Sequence, residues 1–282
     1  MSKSMIKLPV VGGLMLILCQ LFLAGLGHTA ELSAAAVIHN MENRYVGDTS
    51  IIDYQLVLID RRDRQRIRQL RMLNKDYGED SKSLASFSSP ADIQGTGYLH
   101  FDWNDVDRDD DSWLYLPSLQ RVKRIASSDT SDSFLGSDFT YADINGIETQ
   151  WYDYSFVNAS EMVGDQECWV IDITPKAEYR ERAEAATGYS KSRVWIRKDN
   201  FIQVQGQAWV LRGNRIKYFT ASQIEKIDDI WTAKRLQVVT TRNDKQEHAS
   251  ILQMENINYN PELTDDIFTT ENMQRGVTSS AD

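Results

Sequence analysis

The chain has 282 residues, with 41 acidic side chains against 31 basic ones and a net charge of −10 at neutral pH. So acidic a surface repels phosphate backbones, which argues against nucleic acid as a partner. Of the two cysteines only Cys168 lies beyond the first thirty residues, so no disulfide framework is expected and a hydrophobic core must hold the body of the chain.

Residues 1–30 read as a secretory signal. Lys3 and Lys7 give a positive start, Leu8 to Leu26 is almost wholly apolar, and Ala30 is a small residue suited to cleavage. The apolar run approaches the ~20 residues of a membrane-spanning helix, so a retained anchor is the alternative. Gly12, Gly13 and Gly25 in the run favour removal. Lipid attachment at Cys19 fits less well, because Leu16, Ile17 and Leu18 stand where small residues would be needed. Removal of the signal leaves residues 31–282 as one exported, periplasmic domain.

The next element is a helix over 32–45. Ser33 can cap it, Ala34, Val37, Ile38, Met41 and Tyr45 recur at helical spacing, and Gly47 stops it. The period then changes to two. Ile52, Tyr54, Leu56 and Leu58 alternate with Asp53, Gln55, Val57 and Ile59, and Leu99, Phe101 and Trp103 alternate with Tyr98, His100 and Asp102. Further strand patterns fall at 64–73, 83–88, 113–116, 120–125, 147–157, 167–173, 192–197, 202–210, 215–225, 230–241 and 247–259. Asn243-Asp244 and Lys198-Asp199-Asn200 are among the turn signals between them. This pattern predicts one strongly curved antiparallel sheet or a barrel, in a single domain. Tyr98, Trp151, Phe156, Phe201 and Trp209 also put large groups on the second face. That face needs a cover, either a helix or a cavity for an apolar ligand. The polar tail after about residue 262 is expected to be loosely held.

No enzyme signature is present: no nucleophile elbow, zinc-protease motif, phosphate loop or dinucleotide fingerprint. Asp105, Asp107, Asp109 and Asp111 begin like a calcium loop, but Asp110 stands where such a loop needs glycine and Leu116 where it needs glutamate. The run therefore reads as a solvated hairpin connection, and no metal or cofactor is assigned. His39, His100 and His248 are far apart and read as surface or satisfied residues. Cys168 falls in a strand pattern and is expected to be buried. Arg121, Lys123 and Arg124 form a basic island that would either pair with the aspartates or grip a lipid phosphate. The segment 127–144 is dense in Ser, Thr and Asp and is punctuated by Phe134, Leu135, Phe139 and Tyr141. It reads as a flap over an apolar face or as a structural crossover.

Three stretches carry a family resemblance. They are Ser89 to Thr96, Asp107 to Ile125 with its Trp113-Leu114-Tyr115-Leu116-Pro117 core, and Asp129 to Asp143. Together they resemble the outer membrane lipoprotein-sorting (LolA-like) proteins, and most closely a subfamily of unassigned cargo that accompanies RND/MMPL-type exporters. The resemblance implies a mainly β fold, an unclosed antiparallel barrel of about eleven strands with a few lid helices. It also implies a monomeric, non-enzymatic carrier of a lipid or acylated protein, served by an inner-membrane exporter.

On that reading Trp103, Trp113, Tyr115, Trp169 and Trp209 are candidate acyl-chain contacts. Arg121, Lys123 and Arg124 are candidates for the head group or the exporter, and Phe134, Leu135, Phe139 and Tyr141 for a lid. Two alternatives stand beside it. One is an accessory exporter subunit whose cavity is filled by its own side chains. The other is a lipid-modifying hydrolase with Ser127, Ser128, Ser131, Ser133 or Ser137 near His100.

Overall fold

A computed structural model describes residues 31–105 and 108–276, and the signal reading of residues 1–30 lies outside them. From Ser33 onward the chain forms one body. Helix α1 (Ala34–Glu42) leads into six strands: β1 (Thr49–Ile59), β2 (Gln65–Asp76), β3 (Ser81–Ser89), β4 (Gly97–Asp102), β5 (Asp111–Leu116) and β6 (Arg121–Ile125). A crossover containing helix α2 (Tyr141–Asn145) follows. Then come β7 (Tyr152–Val163), β8 (Gln166–Pro175), helix α3 (Arg180–Thr187), β9 (Tyr189–Arg197), β10 (Gln203–Val210), β11 (Arg215–Ile227), β12 (Ile230–Arg242), β13 (Lys245–Tyr259) and helix α4 (Thr270–Arg275).

All thirteen strands join one antiparallel sheet, in the order β6-β5-β4-β3-β2-β1-β13-β12-β11-β10-β9-β8-β7. Consecutive strands are neighbours except β6 and β7, which lie at the two ends, and the pairing of β1 with β13 joins the two halves. The ladder ends at β6 and β7, so the sheet curls but is not closed. It is the expected unclosed LolA-like architecture, with thirteen strands where about eleven were implied.

Register explains which residues share the concave face. Tyr54 lies opposite Leu70 and Met254, Leu56 opposite Leu252, and Tyr98 opposite Ala85 and Leu114. Because side chains alternate, these residues point to one side and form a core with Phe87, Val238 and Ile125. Each fully buried Leu or Phe contributes about 1.5–3 kcal/mol. On the β8–β9 side, Ile171, Ile173, Val194 and Ile196 pack against Val37 and Ile38 of α1 and Ala183 of α3.

The convex face carries its own cover. Leu73, Leu84 and Leu99 pack with Leu263, Phe268 and Met273. The segment expected to be a loose tail is therefore bound as far as α4. Its three apolar side chains are 7 %, 3 % and 1 % exposed, and a hydrophobic strand face would otherwise meet water.

Several boundaries differ from expectation. Helix α1 starts at its predicted cap, where the Ser33 hydroxyl accepts from the Ala36 amide at 3.1 Å. It ends at Glu42 rather than Tyr45, because the Asn43 side chain donates to the His39 carbonyl at 2.8 Å and turns the chain early. The strand expected at 147–157 begins only at Tyr152, after a 3-10 turn over Thr149–Trp151 that buries Trp151. Helices α3 and α4 were not foreseen. Gly188, at φ 75°, supplies the left-handed residue that terminates α3. As expected, Cys168 is buried.

Candidate functional site

The crossover from Ala126 to Trp151 joins the two free edges of the sheet and runs across its concave face. Phe134, Phe139 and Tyr141 are 1 %, 4 % and 6 % exposed. They belong to the same core as Tyr54, Leu70 and Phe87. Phe134 meets Tyr98 and Tyr141 edge-on, with ring centres 5.7 and 5.4 Å apart. The segment is thus a plug seated in the sheet rather than a flap above it.

Four polar pins hold the plug. Arg68 of β2 donates to the Leu135 carbonyl. The Asp138 carboxylate, 5 % exposed, accepts from Thr240 Oγ1 at 2.5 Å, from Ser250 Oγ at 2.8 Å and from His248 Nδ1. Burial alone would raise the Asp138 pKa, but these three hydrogen bonds outweigh it and hold the group below its usual value. The bond to Asp138 raises the His248 pKa in turn. Asp143 accepts from the Tyr189 hydroxyl at 2.9 Å and from the buried Lys217 ammonium at 3.3 Å. It also closes a capping box with Thr140 at the start of α2. The Tyr98 hydroxyl donates to Asn145 Oδ1 at 2.9 Å.

Beside the plug, between α1, α2 and strands β8–β11, a cavity of about 250 Å³ remains. Its wall includes Ile38, Met41, Ile147, Ile173, Val194 and Phe219. It adjoins a larger cleft of about 810 Å³, since Glu42, Gly146, Ile147 and Tyr152 line both. The cleft is acidic, with Asp76, Glu79, Asp80, Asp102, Asp110 and Glu148 on its wall. Arg182 partly balances them, pairing with Asp109 at 2.6 Å.

The carboxylates at the cleft floor are crowded. Burial, reinforced by Asp102, Glu148 and Asp109, pushes the Asp110 pKa up to about 7 against the amide of Trp103. Burial and then Asp102 raise Glu42, and the same two causes raise Glu148. Beneath them His100 is 4 % exposed, and burial lowers its pKa to about 4 despite the pull of Asp111. Its Nδ1 meets Ser112 Oγ at 2.9 Å.

A family described as an uncharacterized protein matches residues 79–275. The chain belongs to that family. Solved structures of similar fold include three with substantial likeness. A DUF1329 family protein from Desulfovibrio piger is 27 % identical with a TM-score of 0.76, over 86 % of this chain and 98 % of its own. An outer membrane lipoprotein-sorting protein domain from Vibrio parahaemolyticus is 24 % identical with a TM-score of 0.75, over the same shares of each chain. A LolA superfamily protein from Nitrosomonas europaea is 17 % identical with a TM-score of 0.64, over 86 % of this chain and 99 % of its own. Among curated proteins none matches the sequence.

The LolA-like sheet distributes the sequence-predicted residues over both faces. Trp103 lines the cleft, its indole N–H donating to Asp111 at 3.1 Å and its ring covered by Arg108. Trp169 stacks on Phe201 and packs with the core beneath α1. Trp113 and Tyr115 lie on the convex face under the C-terminal segment. Trp209 alternates with Ala208 of the cavity wall and so faces away from it, under the Lys191 ammonium. Arg121, Lys123 and Arg124 sit on the free edge strand β6, where Arg124 pairs with Asp111. Phe134, Leu135, Phe139 and Tyr141 all belong to the plug. The serine bonded to His100 is Ser112, not one of the 127–137 group, and Ser133 and Ser137 donate to backbone carbonyls.

Sequence reasoning missed the pins Asp138, Tyr189, Lys217 and His248. Only the Thr140-x-x-Asp143 spacing carried a local signal, since it is a capping-box pattern. The other partners come from strands more than 40 residues from the plug residues that they hold.

Proposed function

We propose that this protein is a non-enzymatic carrier that takes an acyl chain of a lipid or lipidated protein into its concave face. The observation that carries this reading is an unclosed sheet whose apolar concave face is occupied by a plug of its own chain, with an apolar cavity beside it. The cavity, at about 250 Å³, falls below the ~300–1,000 Å³ of ordinary ligand pockets. It accommodates a short acyl segment, and a full chain requires the plug to move. Displacing Phe134, Phe139 and Tyr141 would open the rest of the concave core to the incoming chain. Each methylene then buried contributes about 0.8 kcal/mol.

The wider assignment follows the sequence. Residues 1–30 act as an export signal, residues 31–282 as one periplasmic domain, and an RND/MMPL-type exporter of the inner membrane as the donor. The proteins of similar fold include one described as lipoprotein-sorting. No described helix is long and apolar enough to cross a membrane. The basic edge strand with Arg121 and Lys123 is the docking candidate for a head group or the exporter. Ser112, at 2 % exposure, is poorly placed for a nucleophile, which favours carriage over hydrolysis.

A second reading has its own support. The plug already fills the concave core with aromatic side chains, as an accessory subunit without cargo would require. Native mass spectrometry with lipid extraction, on protein released without detergent, separates the two. A stoichiometric acylated species is the expected result. An empty protein that also ignores fluorescent acyl probes would transfer the assignment to the accessory subunit.

A further inference from the structure

We propose that His100, Asp102 and Asp110 form a binding site for a divalent first-row cation, with Zn2+ the best-matched occupant. His100 and Asp102 lie two residues apart on β4 and share its face, and Asp110 immediately precedes β5, whose Asp111 pairs with Phe101. One ligand atom from each lies within 4.8 Å of the others. His100 Nε2 stands 4.0 Å from Asp110 Oδ2. It has no hydrogen-bond partner, although the residue is 4 % exposed. A buried imidazole nitrogen facing carboxylate oxygen without a bond is costly unless something positive sits between them.

The tautomer is fixed by the groups behind the ring. Asn145 Oδ1 can only accept, so the Tyr98 hydroxyl donates to it. Ser112 Oγ, 3.2 Å from that hydroxyl, then donates to Tyr98. Its remaining role toward His100 is acceptor, and Nδ1 carries the proton. The lone pair therefore lies on Nε2, directed at Asp110 and the cleft. Such a chain of hydrogen bonds fixes the tautomer and orientation of a metal-binding histidine. The Trp103 amide does the same for Asp110, donating to Oδ1 at 3.0 Å and leaving Oδ2 toward the ring.

Chemistry selects the ion. Calcium and magnesium take oxygen ligands, whereas one imidazole and two carboxylates suit zinc or its neighbours. Zinc bonds of about 2.0–2.2 Å set two ligands on one tetrahedral ion roughly 3.3 Å apart, so closure needs side-chain movements of about 1 Å or less per contact. Asp102 and Asp110 line the open cleft, which gives an entry path and a fourth position for water. The proposal does not depend on cargo binding.

The test is titration of the chelator-stripped chain with ZnCl2 by calorimetry, together with visible spectra of the Co2+-loaded protein. One Zn2+ per chain is expected. Asp110→Asn, close to isosteric and partly exposed, and His100→Ala should each weaken binding at least tenfold and abolish the tetrahedral Co2+ bands. Ser112→Ala should weaken it by about tenfold through loss of ring orientation. Asp229→Asn, in a distant exposed turn, should leave it unchanged. Far-UV circular dichroism checks that each variant is folded. Substoichiometric zinc on the wild type would overturn the proposal. So would wild-type affinity in folded Asp110→Asn, or a preference for Ca2+ over Zn2+.

Discussion

Asp138 concentrates much of what holds the plug in place. A carboxylate with three side-chain donors, almost removed from water, is stabilised only while all of them are present. Asp138→Asn turns an amide N–H toward groups that also donate. The expected cost is about 3 kcal/mol, seen as a lower midpoint in urea unfolding. The pair also sets a pH dependence. His248 has a raised pKa in the folded state, so its contribution is complete below about pH 6.5 and is lost as pH rises through the folded value. Asp138 is held low, so its contribution is present above about pH 4 and is lost as pH falls through its folded value. Glu247 adds to the His248 shift and Arg215 opposes it. The Tm advantage of wild type over His248→Gln should therefore be largest near pH 5–6 and shrink by pH 9. A constant gap across that range would show that the ionic bond does not form. At this scale the sequence was least legible. His100 read as a surface or satisfied residue, and nothing singled out Asp138 or Lys217, because their partners arrive from other strands and no local spacing encodes them.

At the scale of elements, alternation located the strands well, since one buried face forces a period of two regardless of the final curvature. It could not say which face would be concave. That is why Trp113 and Trp209, selected for size, sit opposite the cavity while Trp169 does not. Helix α4 was missed for a related reason. Its sequence is polar, and only Met273 of its six residues is buried. Its seat is made by an absence on the strand. A side chain at Gly97 would place Cβ 2.5 Å from Met273 Cγ and 2.8 Å from the Met273 carbonyl oxygen. Gly97→Ala should therefore displace α4 at a cost of about 1–3 kcal/mol. Met273→Ala should cost about 2–4 kcal/mol by leaving a cavity. Both should speed limited proteolysis within 263–276. Protection equal to wild type in Gly97→Ala would mean that the helix yields without leaving the sheet.

For the whole molecule, topology matters more than any single contact. The strands bordering the gap, β6 and β7, are consecutive in the chain, so the segment linking them must cross the opening. Loosening that segment should expose the concave core without unfolding the sheet. Asp138→Asn is thus expected to take up a fluorescent fatty-acyl probe several-fold more tightly than wild type, although it is less stable. Weaker uptake would indicate that the plug forms part of the binding surface instead of covering it.

The tethering of the plug at both ends has a kinetic consequence for a carrier. The crossover is an intramolecular competitor, always present at the high effective concentration that its two anchors impose. Cargo affinity is multiplied by the fraction of molecules in which the plug is out, so a plug seated 99 % of the time weakens apparent binding about 100-fold. On the proposed carrier reading, a long acyl chain otherwise held too firmly to deliver would become exchangeable, and the rate of handover would follow the return of residues 126–151 to the sheet.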